Sequence, residues 1–434
     1  MTLGVPGGEN PAVPDPFSVT GPGAGPEWIG RLRAVGRAAA AELPFPQRTD
    51  EQWRHTDTGR IPFEDLVVGA TAPRDEDVIA LASAAGRRCA LVAAWDGGAR
   101  VIEAGPDDVG VEPLDSLAAT DPMAPAVGTI VGAGSDLFCA LNAAHFSGGV
   151  AVRVAAEARP EGAIVVVHWC APASAASFPR TFVSVGRLAE VTIVEIWAGP
   201  ADAAGSLTAS VVEIDVADGA RLDHVALQEL ADSATFVATQ SAHLGRDARI
   251  STTAAALGGR THRMRTATEL RGDGSSADAL GVYVADGERH VDFRATQHHE
   301  GRDCTSDLLY RGAAWDRAGA VFSGLIRIEA GASGSDAHQA SHFLLLSDEA
   351  HAANIPNLEI LDHDVKCGHA SSGGPPDEDQ LYYLAARGIP PARAEHLVVD
   401  GFFADVAGRI PVPGVGDHVV AEVGRRLALL RGEP

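Results

Sequence analysis

From about residue 149 to residue 361 the chain is a succession of short β-rich runs separated by Gly, Asp and Asn turns, and no helical pattern interrupts them. The runs include 163–169, 181–185, 191–197, 207–216, 222–230, 235–244, 248–257, 261–270, 277–285, 290–298, 320–328 and 341–346. Several alternate cleanly: Phe236, Ala238, Gln240, Ala242 and Leu244 share one face, and Thr235, Val237, Thr239, Ser241 and His243 share the other. Strands without intervening helices over roughly 200 residues exclude a βαβ arrangement and leave a sandwich, a barrel or a stacked β-solenoid. Two features favour the solenoid. Hairpin dipeptides are few, with Asp96-Gly97, Asp218-Gly219 and Asp286-Gly287 as candidates, and small residues abound, which suits close stacking of successive coils.

Helical patterns flank this region. Residues 27–42 follow Pro26, carry Trp28, Leu32, Val35 and Ala39 at helical spacing, and stop at Pro44 and Pro46. Residues 75–86 and 136–146 read as further helices, with a short strand over 89–95. Downstream, Asp377 and Gln380 form a capping-box pattern for a helix ending at Gly388. Residues 391–408 place Ala394, Leu397, Val398, Phe402 and Val406 on one side, and 417–430 continue with Val420, Val423, Leu427 and Leu430. The expected organisation is a disordered leader over 1–26, a mainly helical N-terminal domain over 27–147, a β core over 148–370 and a helical C-terminal domain over 371–434. The leader is Gly/Pro-rich and lacks the charged and apolar regions of a signal peptide.

A net charge of −24 argues against non-specific binding to nucleic acid or to an anionic membrane. No apolar run approaches the ~18 residues of a spanning helix. Five scattered cysteines, Cys89, Cys139, Cys170, Cys304 and Cys367, fit a reduced, cytoplasmic setting without a disulfide framework. Cys89, Cys139 and Cys170 sit in apolar runs, as small core residues do. The sequence has no GxSxG, GxxxxGK[ST], HExxH or helix-opening GxGxxG. Acidic pairs such as Asp215/Asp218 and Asp362/Asp364 would suit a solenoid glycosidase or lyase, but aromatic content of 5% is thin for sugar platforms.

The densest group of ligand types is Lys366-Cys367-Gly368-His369, which holds the only lysine in the chain. On a strand, Cys367 and His369 share one face, and thiolate plus imidazole suits zinc, iron or an iron–sulfur cluster. Two ligands leave the site incomplete. Lys366 would lower the thiol pKa if it lay close. His298-His299 with Cys304 matches no metal spacing and reads as a polar strand edge, and His262, His338, His342 and His351 are single histidines. On these residues alone a scaffold or assembly protein leads, and a sugar-active solenoid enzyme follows.

The strings Asn354-Ile355-Pro356-Asn357-Leu358-Glu359-Ile360, Asp364-Val365-Lys366-Cys367-Gly368-His369 and Asp379-Gln380-Leu381-Tyr382-Tyr383-Leu384 resemble the SufB/SufD family of iron–sulfur cluster assembly proteins in order and spacing. Upstream, Glu51-Gln52-Trp53-Arg54-His55-Thr56-Asp57, Ala140-Leu141-Asn142-Ala143-Ala144-His145 and Thr305-Ser306-Asp307-Leu308-Leu309-Tyr310 resemble it too. The lysine–cysteine–x–histidine string is most similar to SufD. The resemblance implies a right-handed parallel β-helix between helical ends and a non-catalytic subunit of the SUF scaffold. That subunit pairs with a SufB-like paralogue through the β-helix and binds a SufC-type ATPase through its C-terminal helices. It further implies a transient iron–sulfur cluster at the shared interface, with His369, and secondarily Cys367, contributing from this chain. Reduced flavin is associated with complexes of the family, and no residue here places it. The family commonly continues His-Gly-Ala-Thr-Val-Gly, whereas this chain has His369-Ala370-Ser371-Ser372-Gly373-Gly374. A self-sufficient SufB-type scaffold is the rival within the family, and a β-helix carbohydrate lyase or hydrolase the rival outside it.

Overall fold

The computed structural model describes residues 25–63, 66–69 and 71–430, so the expected leader lies, through residue 24, outside the described residues. Its centre is a β-solenoid of about eight coils built from two facing sheets. In the first sheet Leu207–Val216 pairs in parallel with Thr235–Leu244, which pairs in turn with Thr261–Leu270, His290–His299, Gly319–Ile328 and His351–Ile360. The second sheet interleaves Glu190–Ala198, Arg221–Gln228, Arg249–Ala256, Ser276–Ala285, Thr305–Ala314, Asp336–Leu345 and Lys366–Gly374 in the same manner. One coil takes roughly 30 residues, within the usual span of stacked repeats.

The corner from the first sheet to the second explains the regular turn chemistry of the sequence. One residue per coil stands at positive φ: Leu188 (60°), Gly219 (65°), Asp247 (53°), Gly274 (72°), Asp303 (55°) and Gly334 (81°). Gly and Asp are the types that enter this region at least cost. Each of these N–H groups donates to the next coil, Gly219 to the Arg246 carbonyl at 2.8 Å and Asp247 to the Asp273 carbonyl at 2.9 Å, so the corners form their own ladder. Asp218-Gly219 lies at this corner, and Asp286-Gly287 lies at the opposite one, between Ser276–Ala285 and His290–His299. Of the three hairpin candidates, Asp96-Gly97 alone joins an antiparallel pair, Arg88–Trp95 with Gly98–Glu103.

That pair closes one end of the stack. Arg88–Trp95 continues the second sheet in parallel before Gly98–Glu103 caps it, and Val109–Pro113 caps the first sheet antiparallel to Val150–Val154. Both sheets thus begin upstream of residue 148, inside the stretch expected to be mainly helical, and the last strand runs to Gly374, beyond 370.

Six α-helices are described: α1 (Glu27–Glu42), α2 (Asp75–Leu81), α3 (Leu137–His145), α4 (Glu378–Ala386), α5 (Pro391–Ala407) and α6 (Pro413–Leu430). Helices α1 and α3 cover the outer face of the first sheet, with Trp28, Ile29, Phe138 and Leu141 against Phe182, Ala209 and Val237. The buried face of α1 runs through Trp28, Ile29 and Gly36, and Val35 is exposed. At Gly36 a Cβ would lie 2.4 Å from the Ala144 nitrogen, so a glycine lets α1 settle on α3. Helices α5 and α6 cover the second sheet, with Val399, Phe403, Val419, Val423 and Leu427 against Val194, Val225, Leu227 and Val282. Helix α5 carries two apolar stripes. The one with Val399 and Phe403 is buried on the sheet, and the expected Leu397, Val398 and Phe402 line a groove facing α4.

The interior mixes polar and aromatic groups. His168, Trp197, Phe236, His262, Phe293, Tyr310 and Phe322 follow one another with ring centroids 4.4–5.6 Å apart. Near the closed end, His168 and His224 each hydrogen-bond one oxygen of Glu195, at 2.9 and 2.8 Å, and the Thr181 hydroxyl donates at 2.6 Å. Burial alone would raise the Glu195 carboxyl, but these hydrogen bonds from the two imidazoles hold it at about 2. Tyr283 and Tyr310 lie over glycines of the adjoining coil, since their register partners are Gly312 and Gly281. A Cβ at either glycine would stand 1.9 Å from a ring atom.

Gly312→Ala is accordingly expected to cost about 1–3 kcal/mol through overpacking, read as a lower denaturation midpoint at unchanged m-value. A second expectation concerns His262, which is buried with neither ring nitrogen partnered among the described residues and which burial lowers to about 3. The folded chain keeps this ring neutral while the unfolded chain protonates it near 6.5. The associated stability is therefore complete above pH 6.5 and drains as pH falls toward 3, by about 1.4 kcal/mol per pH unit. His262→Phe should remove that part of the slope between pH 6.5 and 4, and unfolding profiles that stay parallel would contradict it.

Candidate functional site

Among the described residues the downstream end of the solenoid is not capped. Its last two strands, His351–Ile360 and Lys366–Gly374, each pair on one side only among the described residues. In a parallel ladder alternate residues turn their backbone groups to opposite neighbours. His351 and Leu361 donate to the preceding coil, at 3.1 and 2.9 Å, so Pro356 falls on a position facing the open side, where a missing N–H breaks no internal bond. Lys366 likewise donates backward, at 2.9 Å to the Ser335 carbonyl, which leaves the backbone groups of Cys367, His369 and Ser371 on the open edge.

The same residues point their side chains inward. Cys367 is in register with the buried Ala337, His369 with Gln339 and Ser371 with Ser341, all interior positions of the coil below. The expected i, i+2 relation therefore holds: Cys367 and His369 share the inner face of a strand. Because no coil follows among the described residues, this inner face is a mouth. Cys367 is half-buried against the core and His369 is exposed. Ala370, standing where the family has glycine, continues the strand in register opposite Ala340.

Polar side chains tie the two sheets together just beneath. The Gln339 amide donates to the Asn357 carbonyl at 3.3 Å and Ser341 bonds the Asn354 side chain, while within the first sheet Asn357 donates to the Gly324 carbonyl at 3.4 Å. A Cβ at Gly324 would stand 2.0 Å from Gln339 Oε1, so the glycine leaves room for that side chain to cross the interior. Asn354 and Asn357 belong to strings already singled out in the sequence. Gln339 and Ser341 were missed because their interior position follows from register, which sequence periodicity does not supply.

Lys366 does not activate the thiol. Its side chain is 82% exposed and lies 4.0 Å from Asp336. Partial burial and the Asp336 carboxylate push the Cys367 thiol up, so it is the neutral thiol that faces the mouth at neutral pH. His369 makes no hydrogen bond or ion pair among the described residues, which leaves its imidazole accessible.

The other sequence candidates are accounted for structurally. His298 pairs with Glu329 at 2.9 Å, His299 bonds Ser306 at 2.8 Å, and the Cys304 thiol meets the Ser275 hydroxyl at 3.3 Å, so these three do not converge. His338 pairs with Asp336 at 2.9 Å and His342 bonds Ser372 at 2.7 Å. Asp218 and Asp362 accept backbone N–H groups of neighbouring turns, from Arg246 at 2.8 Å and Gly331 at 3.0 Å. Cys139 and Cys170 are buried and Cys89 is half-buried. Among the described residues no three His, Cys, Asp or Glu side chains form a metal-binding group.

Comparison with known proteins bears on the whole arrangement. Residues 168–402 match the family model for the SUF system FeS cluster assembly SufBD core domain. An iron–sulfur cluster assembly SufBD family protein of Mycobacterium tuberculosis is 37% identical over 52% of this chain, a match that spans 59% of the relative's own length. Another from Mycobacterium leprae is 30% identical over 92% of this chain and 94% of the relative. The iron–sulfur cluster assembly protein SufD of Bacillus subtilis is 32% identical over 66% of each chain. This chain belongs to the SufB/SufD family of iron–sulfur cluster assembly proteins, and it is most like SufD.

Proposed function

We propose that the chain is a SufD-like scaffold subunit that assembles an iron–sulfur cluster jointly with a SufB-like paralogue and turns over no substrate of its own. The observation that carries this reading is the coincidence, on one strand, of unpaired backbone groups and of Cys367 and His369 facing the mouth. A strand with a free edge adds a neighbour by backbone pairing, and the neighbour arrives beside the two ligand-type side chains. The cluster is cargo in this scheme. His369 supplies an imidazole, Cys367 is the secondary ligand once its proton is lost, and the partner completes the set. The proline at 356 blocks one bond on the other edge, which favours pairing at Lys366–Gly374.

The C-terminal helices suit a second partner, a SufC-type ATPase. Helix α4 buries none of its residues, Tyr382 and Tyr383 stand exposed, and a groove of about 1260 Å³ runs between α4, α5 and the last coil. Exposed aromatic side chains beside an apolar groove are the composition of a docking surface. No described helix is long and apolar enough to cross a membrane, and cytoplasmic placement is part of the proposal.

Anaerobic affinity purification of the full chain from its own cells should recover a SufB-like chain and a SufC-type ATPase; recovery of neither would sink the assignment. In the reconstituted complex, His369→Ala should cut cluster formation on the order of tenfold or more while the subunits remain associated. Unchanged cluster yield would move the site elsewhere, and stable cluster absorbance on this chain alone would favour a self-sufficient scaffold.

A further inference from the structure

The first residues of three successive strands of the first sheet, His290, Gly319 and His351, are in register. The two imidazoles lean toward each other across the glycine. At the point where a Cβ on Gly319 would stand, His351 Nε2 is 2.6 Å away and His290 Nδ1 is 3.1 Å away. Neither side chain makes a hydrogen bond or ion pair among the described residues. His290 is buried, 7% exposed, with its Nε2 also lacking a partner, whereas His351 is exposed and opens the last strand of the first sheet. The charges nearby are already matched. Arg60 donates to the Glu288 carbonyl at 2.8 Å and pairs with its carboxylate at 3.4 Å, and Arg263 is paired with Asp292.

We propose that His290 and His351 form a bis-imidazole site for a first-row divalent metal ion such as Zn²⁺, Ni²⁺ or Co²⁺, seated over Gly319. With both nitrogens within about 3 Å of one point, small rotations of the two rings bring them to about 2.0–2.1 Å from an ion held between them, clear of the Gly319 backbone. Imidazole selects these ions, while Mg²⁺ and Ca²⁺ require oxygen ligands. Glycine inside a strand weakens it and marks a close approach by something else. Here two nitrogen ligands and the space between them occupy that approach. With two protein ligands the metal keeps positions open to water on the exposed side.

The site is separate from the mouth, and its test is made independent of it. Full-length protein carrying His369→Ala, stripped with a chelator, is titrated with Zn²⁺ by calorimetry at neutral pH and melted with and without the metal. One ion per chain should bind, excess Mg²⁺ should not displace it, and the melting temperature should rise. Adding His351→Ala, a surface change that leaves the core intact, should weaken binding at least about tenfold and abolish the thermal shift. Gly319→Ala should do the same by pushing the His351 ring away while keeping both ligand residues, and His338→Ala should change nothing. Zn²⁺ binding that survives both His351→Ala and Gly319→Ala, or no binding to the parent, overturns the site; rings that merely pack together predict the latter.

Discussion

A stack of parallel coils satisfies its backbone only through the coil on either side. Every interior strand here donates to and accepts from both neighbours, alternate residues facing opposite ways, and even the corners extend this ladder through Gly219, Asp247, Gly274 and Asp303. Such a stack has no internal reason to end, so each end must be dealt with explicitly. This chain treats its two ends differently. Upstream, Gly98–Glu103 and Val109–Pro113 run antiparallel and close both sheets, and Arg88 pairs with Glu103 at 2.6 Å beside the closure. Downstream, Lys366–Gly374 ends the second sheet with no such cover among the described residues. Lys366, Cys367 and His369 lie on that uncovered strand.

Stacking in register also couples every inner position to the ones above and below it. The column that ends in His369 passes through His224, Thr252, Ala279, Leu308 and Gln339. A change of size at one level must be met at the next, which is why each tyrosine of the pair Tyr283 and Tyr310 faces a glycine. Polar groups enter the interior on similar terms. Glu195 is tolerated because two imidazoles and a hydroxyl hold it, and Gln339 because Gly324 makes room and Asn357 receives its amide.

Much of this was legible in the sequence, and the limits have physical causes. Alternation within 235–244 and the absence of helical periods placed the strands, and scarcity of hairpin dipeptides favoured coils over meanders. Period alone did not identify the buried stripe of α5, because the helix has two adjacent apolar stripes and only the sheet decides which is covered. The strands Arg88–Trp95 and Val109–Pro113 were not assigned to the sheets because their partners in the stacked coils lie 37 to 75 residues away in sequence. Cys367 and His369 were visible as a same-face pair, but Lys366 looked like an activator. Its charge points to solvent, and Asp336 acts on the thiol in the opposite sense. The mouth residues Gln339 and Ser341 depend on register and could not be read from spacing.

An incomplete ligand set and an open edge are the same structural fact seen from two directions. Within the stack, inner positions are enclosed by coils on both sides, so a thiol or imidazole there is walled off, as Cys304 and His299 are. Only in the last coil does an inward-pointing side chain meet the outside, and there the backbone of the same residues lacks its next strand. Whatever supplies that strand necessarily brings its own side chains over Cys367 and His369. A self-contained cluster site would need a third and fourth ligand from this chain at the mouth, where the structure places Gln339, Ser341, Asn354 and Ser371, amides and hydroxyls better suited to fixing the floor of a site than to binding iron. Under the proposed function, the remaining ligands are then carried by the chain that closes the stack.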